Sequence, residues 1–259
     1  MKVVAILQAR MGSTRLPGKV LLPAAGKPLI ALMLERVQRA RRLDEIWLAT
    51  STDAANDALA ESVAALGISV FRGSEHDVLS RFSDIATRTN ANWIVRLTGD
   101  CPLHDPEIID SIVSFAVERS GQLDYVCNSL EPTFPDGLDV EIFTREALAR
   151  AQAEATTALQ REHVTPFIHR YHDGPGPFRV GHYRGSADFS HLRWTVDEPA
   201  DYELVREIFE ELLPVLPHFG WMDVLALLTR RPELLLRNSD IVRNEGYLKA
   251  LEKSRMESQ

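Results

Sequence analysis

Three stretches, VVAIL (residues 3–7), PLIALMLERVQRAR (residues 28–41) and EIWLA (residues 45–49), decide the fold when read as a unit. The outer two are short, apolar runs of buried-strand type. The middle one places Leu29, Leu32, Met33 and Val37 at i, i+3, i+4 and i+8, the stripe of an amphipathic helix, and leaves Arg36, Arg39 and Arg41 for its other faces. The alternation continues outward. Strands are predicted at residues 93–97 and 124–127, and helices at 53–66, 77–89 and 106–119. Pro28 and Pro106 suit first helical positions, and Asp53 and Asp105 suit caps. A strand–helix rhythm of this kind predicts a mostly parallel sheet covered on both faces, a three-layer α/β/α sandwich.

From about residue 130 the rhythm changes. The sequence predicts a strand at 138–143, helices at 145–154 and 160–171, strands at 178–182 and 191–196, and a helix after Pro199. Helices near 221–229 and 240–252 follow. Residues 130–190 read as an insertion that extends the same sheet, so residues 1–259 are expected to be one domain.

With 45% hydrophobic and 25% charged residues, the chain has the composition of an ordinary globular protein. Its formal charge of −8 argues against nucleic acid or an anionic membrane as a partner. Yet residues 1–42 hold nine Lys/Arg and a single acid, Glu35, which marks a local anion site. Two cysteines, Cys101 and Cys127, cannot build a disulfide framework or a four-ligand zinc site. No run reaches 18 apolar residues, and the N-terminal apolar run is too short for a signal core, so a cytoplasmic location is expected.

The chemistry concentrates in QARMGSTRLPGK, residues 8–19, directly after the first strand, where an open α/β sheet places its ligand crevice. Arg10, Arg15 and Lys19 supply cations, Ser13 and Thr14 hydroxyls, and Gly12 and Gly18 a close backbone approach, a combination that suits a polyphosphate. It is not a Walker A loop: five residues separate Gly12 from Gly18, and Val20 follows Lys19. No GxGxxG fingerprint follows the strand either. In RLTGDCPLHDP (residues 96–106) and RWTVDEPADYEL (residues 193–204), Asp100 and Asp197 stand at strand ends, placed to share a hard cation such as Mg²⁺ with the phosphates. Either aspartate alone could equally be a turn former or a cap. His169 and His172 at i, i+3, with no HExxH nearby, read as packing or surface, and the arginines of residues 36–42 as a solvated helix end.

ARMGSTRLPGK resembles the N-terminal signature of the sugar-activating cytidylyltransferases, the group containing CMP-KDO synthetase and CMP-sialic acid synthetase. The nearest likeness is to the branch called spore coat polysaccharide biosynthesis protein F, shared by GSEHDVLSRF (residues 73–82), RLTGDCPL, DGLDVEIF (136–143), REHVTPFI (161–168) and RNEGYLKAL (243–251). The resemblance implies a nucleotide-diphosphosugar transferase-like, Rossmann-like fold and an enzyme that transfers CMP from CTP to a sugar acid with Mg²⁺, releasing pyrophosphate for surface polysaccharide synthesis. Carried over position by position, Gln8, Ala9, Arg10, Gly12, Ser13, Thr14, Arg15, Lys19 and Arg81 face the nucleotide. Arg10, Lys19 and Asp100 are catalytic, Asp100 and Asp197 hold the metal, and Asp139, Glu141 and Glu162 face the acceptor. The family also implies a homodimer, with the 130–190 segment as acceptor side and dimer arm. Another nucleotide or acceptor, or a glycosyltransferase of the same fold, is the alternative; Cys101-Pro102 after Asp100, in place of a DxD motif, weakens the latter.

Overall fold

A computed structural model describes residues 1–170, 172 and 174–243. Its main sheet has seven strands in the order β5-β4-β1-β6-β8-β7-β9. These are β1 (Val3–Gln8), β4 (Glu45–Ser51), β5 (Ser69–Gly73), β6 (Trp93–Thr98), β7 (Tyr125–Cys127), β8 (Glu141–Thr144) and β9 (Val180–His182), while β2 (Pro23–Ala24) and β3 (Lys27–Pro28) form a small hairpin. The pairs β1–β4, β1–β6, β4–β5 and β7–β9 are parallel, and β8 runs antiparallel between β6 and β7.

Alternation along the strands sends side chains to two separate cores. Val3, Ala5, Leu7, Trp93, Val95 and Leu97 face the helices α1 (Leu29–Val37), α2 (Asp57–Ala64), α4 (Pro106–Glu118), α8 (Pro199–Leu212) and α9 (Trp221–Arg230). Val4, Ile6, Ile94, Tyr125 and Phe143 face α3 (Val78–Thr89), α5 (Arg145–Glu154) and α7 (Pro166–His169), with α6 (Ala158–His163) just before α7 in the chain. This is the three-layer α/β/α, Rossmann-like architecture that the alternation predicts. No described helix is long and apolar enough to cross a membrane.

Asp53 accepts from the Ala55 N–H, and Asp105 from the Glu107 and Ile108 N–H groups, so both act as the caps their positions suggest. Pro28, by contrast, flanks α1 rather than opening it, and residues 53–66 form a 3-10 turn followed by α2. The strand expected at 138–143 forms at Glu141–Thr144, and β5 was not predicted at all.

Two further expectations fail for clear reasons. The helix predicted over 160–171 breaks at Val164, whose φ of 70° cannot continue a right-handed helix, and Pro166 starts the next one. Residues 191–196 are buried at Trp194 and Val196 but form no ladder strand. Their N–H groups go instead to the carbonyls of Asp136 and Asp100, at 2.6 and 2.7 Å. The helix expected at 240–252 lies mostly outside the described residues, and 240–243 are not helical.

Arg36 is not on a solvated face. It is only 4% exposed, donates to the carbonyls of His104 (3.0 Å) and Phe219 (2.9 Å), and lies 4.3 Å over the Phe219 ring. Burial lowers its pKa to about 10, which leaves it charged at neutral pH. Arg41 and Arg42 are exposed, as read.

Candidate active site

The sheet order reverses at β1: β4 and β5 lie to one side of it, β6 to the other. Carboxyl-end loops diverge at such a point and open a crevice. Here the residues that follow β1 and β6 meet across it. Gly99 permits the meeting, because a Cβ at this position would stand 2.7 Å from the Ala9 Cβ.

The crevice continues into a cavity of about 580 Å³. Gln8, Ala9, Arg10, Gly12, Ser13, Thr14, Arg15 and Lys19 line it from the first loop, and Arg81 from α3. Asp100, Asp197, Asp139, Glu141 and Glu162 line it as well, Asp139 and Glu141 on the wall away from that loop and Glu162 against Arg10. All the site residues named from the sequence therefore border one space.

At its centre, Lys19 Nζ donates to the Val196 carbonyl (2.7 Å) and to Asp197 Oδ1 (2.7 Å), and lies 3.4 Å from Asp100 Oδ2. Burial alone would lower the lysine pKa, but the two aspartates outweigh it and the net shift is upward. For Asp100, burial pushes the pKa up, while Lys19 and hydrogen bonds from Thr98 and Cys101 hold it well below the usual carboxylate range. A charged ammonium thus sits between two carboxylates. Arg15 completes the group, with Nη2 3.0 Å from Asp197 Oδ2 and Nη1 3.2 Å from Glu198 Oε1. At the other side of the mouth, Arg10 spans Glu75 (3.5 Å) and Glu162 (3.0 Å).

A buried scaffold that sequence reading missed fixes Asp197. Arg193 grips Asp201 with two bonds (2.9 and 3.0 Å), Asp136 with a third (2.9 Å) and touches Asp197 Oδ2 at 3.3 Å. Asp201, fully buried, accepts the N–H groups of Asp197 and Glu198 at 3.0 Å each, which ties the turn before α8 to this network. Arg243 reaches Asp139 at 2.6 Å, yet burial dominates and raises the Asp139 pKa to about 7.

The far wall has its own pairing. Arg96 on β6 bonds Gln8 Oε1 through Nε (2.9 Å) and pairs with Glu141 Oε2 through Nη1. Glu141 Oε1 accepts from the Tyr125 hydroxyl (2.5 Å) and the Thr165 hydroxyl (2.6 Å). Arg96 is the second residue missed from sequence. Its signal was there: an arginine inside WIVRLT, a strand otherwise buried along most of its length.

Two carboxylates that already hold a cation between them, with hard oxygen donors only, suit Mg²⁺, which takes one or two protein carboxylates and fills its shell with phosphate and water. Among the described residues no group of three or more His, Cys, Asp or Glu side chains is arranged to hold a metal alone.

Comparison with known proteins gives a consistent picture. A family model described as cytidylyltransferase matches residues 4–213. Spore coat polysaccharide biosynthesis protein SpsF of Bacillus subtilis is 31% identical over 238 residues, covering 89% of this chain and 95% of that protein. The 3-deoxy-manno-octulosonate cytidylyltransferase of Geobacter sulfurreducens is 38% identical over 121 residues, 46% of this chain and 47% of that protein. The solved structure of a cytidylyltransferase from Leptospira borgpetersenii serovar Hardjo-bovis superposes with a TM-score of 0.86 at 32% identity, over 95% of this chain and 98% of that one.

Proposed function

The chain belongs to the cytidylyltransferase family and is a nucleotidyltransferase, and from that premise we propose that it transfers CMP from CTP to a sugar acid, releasing pyrophosphate for surface polysaccharide synthesis. The observation that carries this reading is Lys19 held between Asp100 and Asp197 at the crevice beside β1. Such an arrangement is an exchangeable charge cluster. When a nucleoside triphosphate enters, the carboxylate partners of Lys19, Arg15 and Arg10 give way to phosphate oxygens, and Asp100 and Asp197, freed of their ion pairs, would hold Mg²⁺. Bound there, Mg²⁺ supplies charge neutralisation at the phosphates.

A sugar hydroxyl then attacks the α-phosphorus in line, its bond to phosphorus forming as the bond to pyrophosphate breaks and its proton passing to water or a lining carboxylate. Lys19 and Arg10 neutralise charge on the departing pyrophosphate, and the loop hydroxyls and backbone of Gly12, Ser13 and Thr14 orient the chain of phosphates. No covalent enzyme intermediate is required. Asp139, Glu141 and Glu162 face the acceptor, and residues 130–190 supply this side together with the contact of a homodimer, which sedimentation of the free protein tests.

A pyrophosphate-release screen crossing the four nucleoside triphosphates with eight- and nine-carbon sugar acids tests the reading. CTP with one such acid and Mg²⁺ should release pyrophosphate, and Asp100→Asn should not. Release with a different nucleotide, or none with any acid, would refute it.

A further inference from the structure

Glu141 lines the acceptor wall, but its two oxygens already take three donors: Tyr125 and Thr165 on Oε1, Arg96 on Oε2. A carboxylate so engaged, 10% exposed, has little left to offer a ligand. What it does is fix a cation. Gln8 holds the Nε of Arg96 and Glu141 holds Nη1, so the guanidinium plane is locked from behind, while Nη2 has no partner among the described residues. Arg96 lines the cavity. On β6 it shares a face with Thr98, which leads to Asp100, and all three line the same cavity.

We infer that Arg96 is the residue that recognises the acceptor, taking the carboxylate of the sugar acid on its free Nη2 side, with Glu141 and Gln8 as its positioning residues. The inference rests on the proposed cytidylyl transfer to a sugar acid and names the group that makes that acceptor an acid. Guanidinium donates only, so a buried and oriented one with open N–H groups calls for an acceptor oxygen, and its planar fork matches a carboxylate better than isolated hydroxyls. Arg81, 2% exposed, also borders the cavity, and its Nε is buried without a partner among the described residues.

The test compares each active sugar acid with its neutral amide, using wild type, Arg96→Gln and Arg96→Lys. Wild type should prefer the acid by at least ~100-fold in kcat/KM, because a site built for a polar group rejects the analogue lacking it. Arg96→Gln should raise the acceptor KM about 100-fold, erase the preference and leave the KM for CTP unchanged. Arg96→Lys, charged but without the fork, should fall between. Because Arg96→Gln strands a buried Glu141, the double variant Arg96→Gln, Glu141→Gln is included and should lose the acid preference equally. Thermal shifts give a readout without turnover: the acid, with a non-hydrolysable CTP analogue present, should stabilise wild type and not the double variant.

An acid preference that survives in either glutamine variant overturns the inference while leaving the proposed reaction standing, as does a KM effect confined to CTP. An absence of stabilisation of wild type by every active acid overturns the inference, and turnover of neutral sugars only overturns both.

Discussion

Lys19 Nζ stands 2.7 Å from Asp197 Oδ1, so the cation of the first loop and the carboxylate before α8, 178 positions apart, form one ion pair across the crevice. The pair occupies the place where a metal and a polyphosphate would meet. Replacing Lys19 with Met removes the proposed phosphate ligand and the cation that Asp100 and Asp197 share. The expected result is a loss of about 10²–10³ in kcat, the scale of one lost charge-stabilising donor. At the same time Mg²⁺ alone should raise the melting temperature of Lys19→Met more than that of wild type. An equal Mg²⁺ shift in both would show that Lys19 does not compete for the aspartates.

The buried Arg193–Asp201 pair gives a stability prediction. Asp201 is fully buried and takes Arg193, Asn238 Nδ2 and two backbone N–H groups. Burial would raise its pKa, but Arg193 and Asn238 hold it below the ordinary value. Arg193→Met strands that carboxylate and should cost about 3–5 kcal/mol in urea unfolding, the range for breaking one partner of a buried pair. Arg193→Lys should recover only part of it, since one ammonium cannot serve Asp201 in two places and Asp136 as well.

His104 predicts a pH dependence. It is fully buried, neither ring nitrogen has a partner among the described residues, and burial, reinforced by Arg36, lowers its pKa to about 3. The unfolded chain binds a proton on this imidazole below its ordinary pKa of 6.5 while the native protein does not until about pH 3. Stability is therefore lost as pH falls through this window, ~2 kcal/mol of it by pH 5 from this group alone. His104→Leu, an apolar residue of similar volume, should differ little from wild type at pH 7 and lose less stability between pH 7 and pH 5. Parallel urea titrations at the two pH values check it; an unchanged pH slope would refute it.

Contiguous chemistry was legible in the sequence, and pairings across distant segments were not. The cations of residues 10–19 and the carboxylates Asp100 and Asp197 each sit beside a breaker residue at the end of an apolar run, so local pattern located them. Arg36 was misread because helical periodicity knows only its own helix. The carbonyls of Leu103, His104 and Phe219 that bury it come from loops at least 67 positions away. Residues 191–196 have strand-like composition, yet their backbone partners are the loop residues Asp136 and Asp100, and composition says nothing about which carbonyls a segment will meet. Arg96 and Glu141 are neighbours only through the antiparallel β6–β8 pairing, a register no single-segment reading supplies.

That dependence on loop-to-loop contact makes Gly137 the sharpest test of the site's architecture. Its φ of +102° is strained for any side chain, and an added Cβ would stand 2.5 Å from the Thr195 nitrogen and 2.6 Å from the Trp194 carbonyl carbon. Both are backbone atoms, so no rotamer change relieves the clash. The 136–139 loop must instead withdraw from 193–197, carrying Asp136 and Asp139 away from Arg193 and Asp197. Gly137→Ala should destabilise the protein by about 2–4 kcal/mol, within the range for strained and overpacked sites. Its pyrophosphate release should fall further than thermal unfolding alone explains, measured well below the variant's own melting temperature. Gly174→Ala, at a position with open space around it and no positive φ, is the control and should change neither quantity. If Gly137→Ala behaves like that control, the close approach of the two loops is not what holds the aspartates in place.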